Sequence, residues 1–159
     1  LHSKDEKANL KPMDVVEELR RIYAGWIETF ENSHISYDFV TEKEEIYVMA
    51  DKLFMERIIN NLIKNAWEHS DASKIWIEVS VVKDYAQIKV KDNGRGISAG
   101  AIPSVFERLH QEETSRNRVG GGLGLAITKE LVLLQKGKIS VESAEHQGTT
   151  FCVELARFL

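Results

Sequence analysis

The sequence predicts one α/β domain, and three observations lead to this fold class. The chain has 159 residues, 43% of them hydrophobic, which is enough for one core and short for two. In three segments apolar residues recur at steps of three or four, as in helices that bury one face. Other short runs alternate apolar and polar residues, as in strands of a sheet with one covered face.

The composition argues against several classes of function. There are 21 basic and 25 acidic residues and no dense basic block, which does not suit a nucleic-acid-binding surface. The single cysteine, Cys152, cannot form an internal disulfide and fits a reducing compartment. No apolar run approaches the roughly 18 residues of a membrane span. We therefore expect a cytoplasmic domain that is monomeric in isolation and contacts neither nucleic acid nor membrane directly.

The N-terminal third predicts a linker, a helix and two strands. Residues 1–11 are charged and lack periodicity, so we interpret them as a linker and place the folded domain at 12–159. Asp14 is a candidate N-cap for a helix with the apolar stripe Val15, Leu19, Ile22, Trp26 and Phe30. The runs 35–40 and 46–49 then indicate two strands around a charged turn, which we expect to pair as a hairpin.

A second helix, beginning after Asp51 and reaching His69, carries two asparagines on its apolar line. Asn61 and Asn65 follow Phe54 and Ile58 at helical spacing. A buried amide without a partner costs about 1–3 kcal/mol, so both need a polar group. Mg²⁺ with phosphate oxygens would supply one. The alternative is that both amides bond to neighbouring backbone.

The next two strand runs are separated by a turn at 83–84, and the second run ends in a carboxylate. Ile88 and Val90 share one sheet face, and Asp92 continues their parity onto that face. A buried carboxylate needs donors, and an adenine amine would supply them. Gly94 and Gly96 would let the backbone approach a flat ring. The alternative is an Asp-Asn-Gly turn that closes a hairpin.

A glycine-rich loop then leads into the last helix. Six of the ten glycines stand at positions 94, 96, 120, 121, 122 and 124. A helix that begins from such a loop presents free N–H groups to an anion, so residues 120–125 predict a phosphate site. The polar segment 107–118 between the glycine clusters has the composition of a mobile lid, or else of a solvated connector. Two final strands, at 138–143 and 149–155, turn the Thr149 hydroxyl inward.

These motifs, in this order, resemble the catalytic ATP-binding domain of bacterial sensor histidine kinases, in the superfamily that includes gyrase B, Hsp90 and MutL. The resemblance covers residues from about 11 to 155. It is carried by motifs similar to the N, G1, F and G2 boxes and the terminal strand motif, which here are Asn61–Ala66, Asp92–Ile97, Val105–Arg108, Gly120–Leu125 and Gly148–Phe151. It implies a two-layer α/β sandwich of the Bergerat (GHKL) type: a mixed five-stranded sheet covered on one face by three helices, with an ATP lid.

The resemblance also implies the ligands, ATP and Mg²⁺, and the residues that bind them. Asn65 would ligate Mg²⁺ and Asn61 would support the phosphates. Asp92 would accept from the adenine amine, with Thr149 completing the water network around it. The purine slot would be shaped by Gly94, Gly96 and Ile97, and the phosphates would be wrapped by Gly120, Gly122, Leu123, Gly124 and Leu125. Arg116 and Arg118 are candidates for γ-phosphate contacts because of their charge and their place in the lid.

Three positions depart from the family pattern. Glu68 stands where Lys or Arg is common, so a phosphate contact is absent there or supplied elsewhere. His69 stands where Tyr is common; we expect it near the base, the alternative being an exposed helix end. Val119 replaces the first glycine of the longest G2 form.

The implied activity is transfer of the γ-phosphoryl group of ATP to a histidine. None of the five histidines lies in a phosphoacceptor motif. We therefore expect residues 1–11 to lead from a phosphoacceptor helical-hairpin dimerisation domain of the same protein, with a response regulator downstream. The alternatives are an anti-sigma-factor-type serine kinase, a nucleotide-gated interaction module, and a hydrolytic ATPase. The last is disfavoured because Asn61, at the position of the hydrolytic base, cannot accept a proton.

Overall fold

The computed structural model describes residues 7–107 and 122–158 of the chain. The elements of the described residues are strands β1 (Lys11–Asp14), β2 (Ser36–Thr41), β3 (Tyr47–Ala50), β4 (Lys74–Val82), β5 (Tyr85–Asp92), β6 (Lys138–Ser143) and β7 (Thr149–Ala156), and helices α1 (Val15–Ala24), α2 (Ile27–Asn32), α3 (Lys52–His69) and α4 (Gly122–Leu134). A 3₁₀ turn spans Ile102–Ser104.

Five strands form a mixed sheet in the order β2-β4-β5-β7-β6, in which β2 and β4 are parallel and the other pairs antiparallel. Alternate residues of the central strands, such as Ile77, Ile88 and Val153, are completely buried on one face. Helix α3 crosses β4 and β5 there, α4 packs beside it against β6, and α1 packs on α3. This arrangement confirms the predicted two-layer sandwich with three covering helices.

The first apolar stripe forms two helices instead of the single predicted one. Asp14 caps α1 by accepting from the N–H of Val16, as expected. The helix ends at Gly25, and α2 begins after Trp26. Trp26, at the break, donates from its indole N–H to Asn60 Oδ1 of α3 at 2.8 Å. The residues of the stripe therefore still face the core although they lie on two helices.

The expected hairpin between the two early strands is wrong. Strand β2 pairs in parallel with β4, while β3 pairs antiparallel with β1 in a separate two-stranded sheet. The charged turn between them is held by β4 instead, because Glu42 accepts from the N–H of Val81 at 2.7 Å. Local alternation predicts a strand but contains no information about its partner, and here α3 forms a crossover between the partners.

Helix α3 is fixed at its beginning and its end. Asp51 Oδ1 accepts from Phe54 N at 3.0 Å, and the backbone N–H of Asp51 donates to the buried Gln135 Oε1 at 2.7 Å. At the other end, Ser70 O accepts from Arg95 N at 2.7 Å. The C-terminal half of α3 therefore lies beside the end of β5. In the part of the chain described, no helix is long and apolar enough to cross a membrane.

Candidate functional site

A cavity of about 260 Å³ opens between α3, the end of β5 and the start of α4. It is lined by Asn65, His69, Ser70, Asp92, Arg95, Gly96, Ile97, Ser98, Ala101, Val105, Leu125 and Thr149. Residues from all five sequence motifs thus meet around one space. Because small-molecule pockets usually measure roughly 300–1,000 Å³, this cavity fits part of a nucleotide, and the rest would extend outward.

Asp92 forms one wall of the cavity as an almost fully buried carboxylate. Its side chain accepts from the N–H of Gly94 at 2.8 Å, and only 7% of the residue is exposed. Burial raises the pKa of the Asp92 carboxyl, an effect that the backbone N–H groups of Gly94 and Thr149 partly offset. Strand β5 pairs onward with β7, with Asp92 opposite Thr149. The alternative of a turn closing a hairpin after Asp92 is therefore wrong.

The two glycines after Asp92 allow close packing between chain segments. A Cβ on Gly94 would lie 2.2 Å from Ser70 O, at the end of α3. Gly96 has a φ of +75°, and a Cβ there would lie 2.0 Å from Ala144 O. Both positions require glycine because neighbouring backbone occupies the space that a side chain would fill. The sequence had suggested a different reason, the close approach of a flat ring. Gly96 still lines the cavity, whereas Gly94 does not.

The two asparagines of α3 occupy different positions. Asn65 lines the cavity directly. Asn61 lies one turn earlier, where its Nδ2 donates to Thr128 Oγ1 of α4 at 3.2 Å. Gly124 packs over the same amide, since a Cβ on it would lie 3.8 Å from Asn61 Cγ. The sequence left open that both asparagine amides bond to neighbouring backbone. Asn61 instead bonds to the side chain of Thr128 on another helix.

The donor set fits a nucleotide-borne magnesium ion rather than a metal held by protein alone. Within residues 7–107 and 122–158, no group of three or more His, Cys, Asp or Glu side chains is placed to hold a metal. Asn65 offers one neutral oxygen, and Mg²⁺ accepts one or two protein ligands when phosphates and waters complete its shell. The beginning of α4 at Gly122 supplies backbone N–H groups near Asn61, where phosphates are expected.

His69 lines the cavity at the end of α3. Its Nε2 is buried and has no hydrogen-bond partner within the described residues. Glu68 Oε1 lies 3.7 Å from this nitrogen. His69 lines the cavity together with Asn65 and Asp92, and its partly buried side chain differs from the alternative of an exposed helix end.

Several predicted residues remain untested by the geometry. Arg116, Arg118, Gly120 and the departure at Val119 lie outside the described residues, as does most of the predicted lid. Gly122 and Leu123 are described only as the helical start of α4. Sequence reasoning did not identify five lining residues, Ser70, Arg95, Ser98, Ala101 and Val105. Of these, Arg95 and Val105 lie within the motifs Asp92–Ile97 and Val105–Arg108, and those positions were the available signals.

Comparisons with known proteins agree with this architecture. Residues 50–157 match the family model described as histidine kinase-, DNA gyrase B- and HSP90-like ATPase. The sensor histidine kinase YvrG of Bacillus subtilis is 36% identical over 133 residues, which are 80% of this chain and 23% of YvrG. The chain thus spans about a quarter of that relative.

Solved structures of histidine kinases share the fold. The catalytic domain of ThkA in a nucleotide-free form aligns with a TM-score of 0.81 and 24% identity, over 94% of this chain and 96% of that domain. Full-length ShkA in complex with AMPPNP aligns with a TM-score of 0.84 and 23% identity, over 98% of this chain and 32% of ShkA. ThkA in complex with the response regulator protein TrrA aligns with a TM-score of 0.78 and 22% identity, over 94% of this chain and 42% of that one.

Proposed function

Because the chain belongs to the family of histidine kinase-, DNA gyrase B- and HSP90-like ATPases, we propose that it binds ATP with Mg²⁺ and donates the γ-phosphoryl group to a histidine on a separate helical-hairpin module. The observation that carries this proposal is the buried carboxylate of Asp92 in a cavity that Asn65 also lines. A buried carboxylate acceptor and a hard oxygen ligand match the base and the metal-bound phosphates of a nucleotide–metal complex.

Each residue has a chemical role in this proposal. Asp92 accepts from the adenine amine, and His69, Gly96 and Ile97 surround the base and sugar. Asn65 ligates Mg²⁺, which neutralises charge on the phosphate oxygens when it is bound. Asn61 and the start of α4 hold the phosphates, with Arg116 and Arg118 assigned to the γ-phosphate by their charge. The bond between the β–γ bridging oxygen and the γ-phosphorus breaks, a bond from an acceptor imidazole nitrogen forms, and ADP leaves.

The acceptor is the partner that this proposal requires. Catalysis of phosphoryl transfer is mostly positioning and charge stabilisation, so the chain needs a nucleophile that another module supplies. We assign that nucleophile to the helical hairpin of a sensor histidine kinase. A response regulator then receives the phosphoryl group, as the complex of ThkA with TrrA suggests. The setting is cytoplasmic two-component signalling.

Transfer in trans is the experiment that tests this function. The purified chain is mixed with γ-labelled ATP, Mg²⁺ and a separate helical-hairpin phosphoacceptor domain. Acid-labile phosphohistidine should form on the hairpin, while the chain alone neither labels itself nor releases phosphate appreciably. Rapid phosphate release without a partner would favour the hydrolytic alternative. Serine phosphate on a partner would favour the anti-sigma-factor type of kinase.

A further inference from the structure

The hydroxyl group of Ser143, at the end of edge strand β6, makes three hydrogen-bond contacts behind the cavity. Ile97 N donates to Ser143 Oγ at 2.8 Å. Ser143 Oγ lies 2.9 Å from Gly148 O and 2.8 Å from Thr149 Oγ1. Ser143 itself is not among the lining residues, whereas Ile97 and Thr149 are. One side chain thus joins two walls of the cavity from outside.

The directions of these bonds follow from counting hydrogens. A serine hydroxyl has one hydrogen to donate and two lone pairs to accept. The carbonyl of Gly148 only accepts and the N–H of Ile97 only donates, so the Ser143 hydrogen belongs to Gly148. The contact between the two hydroxyl groups then needs its hydrogen from Thr149. Ser143 is saturated by this arrangement.

The consequence for Thr149 is that its hydrogen points away from the cavity. Thr149 is 6% exposed and pairs in register with both Asp92 and Ser143. With its hydrogen engaged by Ser143, its hydroxyl offers the cavity lone pairs only. The neighbouring carboxylate of Asp92 also offers only acceptors when it is ionised.

We propose that Ser143 is a positioning residue that makes this end of the cavity acceptor-only, and so selects a nucleobase that presents an exocyclic amine. This inference rests on the proposed nucleotide binding and extends it to base selection. Without the Ser143 hydroxyl, Thr149 loses its acceptor on β6 and turns its hydrogen toward the Asp92 carboxylate. The Thr149 hydrogen then competes with the amine of the base for the oxygens of the Asp92 carboxylate.

The test compares ATP with purine riboside triphosphate, which lacks the amine, by calorimetric titration of the purified chain with Mg²⁺. The wild type should bind ATP more tightly than the analogue. Ser143→Ala should weaken ATP binding about tenfold, the effect of one lost hydrogen bond in a buried site, and weaken analogue binding less. Ser143→Thr retains a hydroxyl and should restore the preference for ATP.

Two further variants separate positioning from general damage. Ser140→Ala makes the same change on the exposed side of β6 and should leave both affinities as in the wild type. In a Thr149→Val background, Ser143→Ala should add little, because the residue through which it acts is gone. Thermal unfolding of each variant checks that it is folded.

The outcomes distinguish this inference from the proposed function. If the wild type binds ATP and Ser143→Ala keeps the same preference, or loses both affinities equally, the role of Ser143 is wrong and the proposed function stands. If the wild type binds neither nucleotide, the role of Ser143 and the proposed function are both wrong. The inference is supported if Ser143→Ala reduces the ratio of ATP affinity to analogue affinity and Ser143→Thr restores that ratio.

Discussion

The amide of Asn61 donates to the hydroxyl of Thr128, with 3.2 Å between Asn61 Nδ2 and Thr128 Oγ1. This bond joins α3, which carries Asn65, to α4, which begins at the predicted phosphate end of the cavity. Thr128 is completely buried. In the proposed function these two helices bind opposite sides of the triphosphate, and this polar contact joins them near its expected position.

We expect Thr128→Val to lower the free energy of unfolding by about 1–2 kcal/mol, because it keeps the side-chain shape and removes the acceptor of the Asn61 amide. Urea denaturation measures this change. In an Asn61→Ala background the same substitution should cost less, since no amide is then left without a partner. Equal costs in the two backgrounds would show that the two side chains do not interact.

The pH dependence of stability and of binding should run in opposite directions. Because burial raises the pKa of Asp92, the folded state binds more protons than the unfolded state between the ordinary pKa and the raised one. The contribution of Asp92 to stability therefore falls as pH rises through that interval. Asp92→Asn removes this loss. Without nucleotide, the melting temperature of the variant minus that of the wild type should therefore increase from acid to neutral pH.

ATP affinity should instead rise with pH through the same interval, because a proton on the Asp92 carboxyl would occupy an oxygen that the adenine amine needs as an acceptor. Calorimetric titration of the wild type at several acid pH values measures this change. An affinity that stays constant across the interval, while the protein remains folded, would contradict the assigned role of Asp92.

We expect Asn65→Ala to remove mainly the Mg²⁺-dependent part of the ATP affinity. The substitution deletes the proposed metal ligand at the cavity wall and leaves Asp92 in place. Titrations in Mg²⁺ and in EDTA should differ for the wild type and nearly coincide for the variant. If the variant lost as much affinity in EDTA as in Mg²⁺, Asn65 would be a contact to the nucleotide rather than to the metal.

The sequence predicted those parts of the site that depend on local periodicity. The alternation through Ile88 and Val90 oriented Asp92 correctly, and the helical spacing from Phe54 placed Asn65 at the cavity. N-caps at Asp14 and Asp51 were also correct, because a cap is a contact within a few residues.

Contacts between distant segments could not be predicted in this way. The partner of β2 is β4, and Thr128, which bonds Asn61, lies 67 residues further along the chain. Ser143 belongs to an exposed edge strand, and only the register with β7 brings it beside Thr149. Alternation shows which face a residue occupies and does not show which strand lies next to it.

Calorimetric titration of ATP with Mg²⁺ into the wild type and Asp92→Asn at neutral pH tests the central claim most directly. The amide can present a donor to the adenine amine and loses a charge-assisted hydrogen bond worth roughly 1.5–3 kcal/mol. We predict one site in the wild type and binding weaker by about tenfold to a hundredfold in a variant that unfolds no earlier than the wild type. Equal affinity in the two proteins, or no binding by the wild type, would contradict the assignment of this cavity as the adenine site.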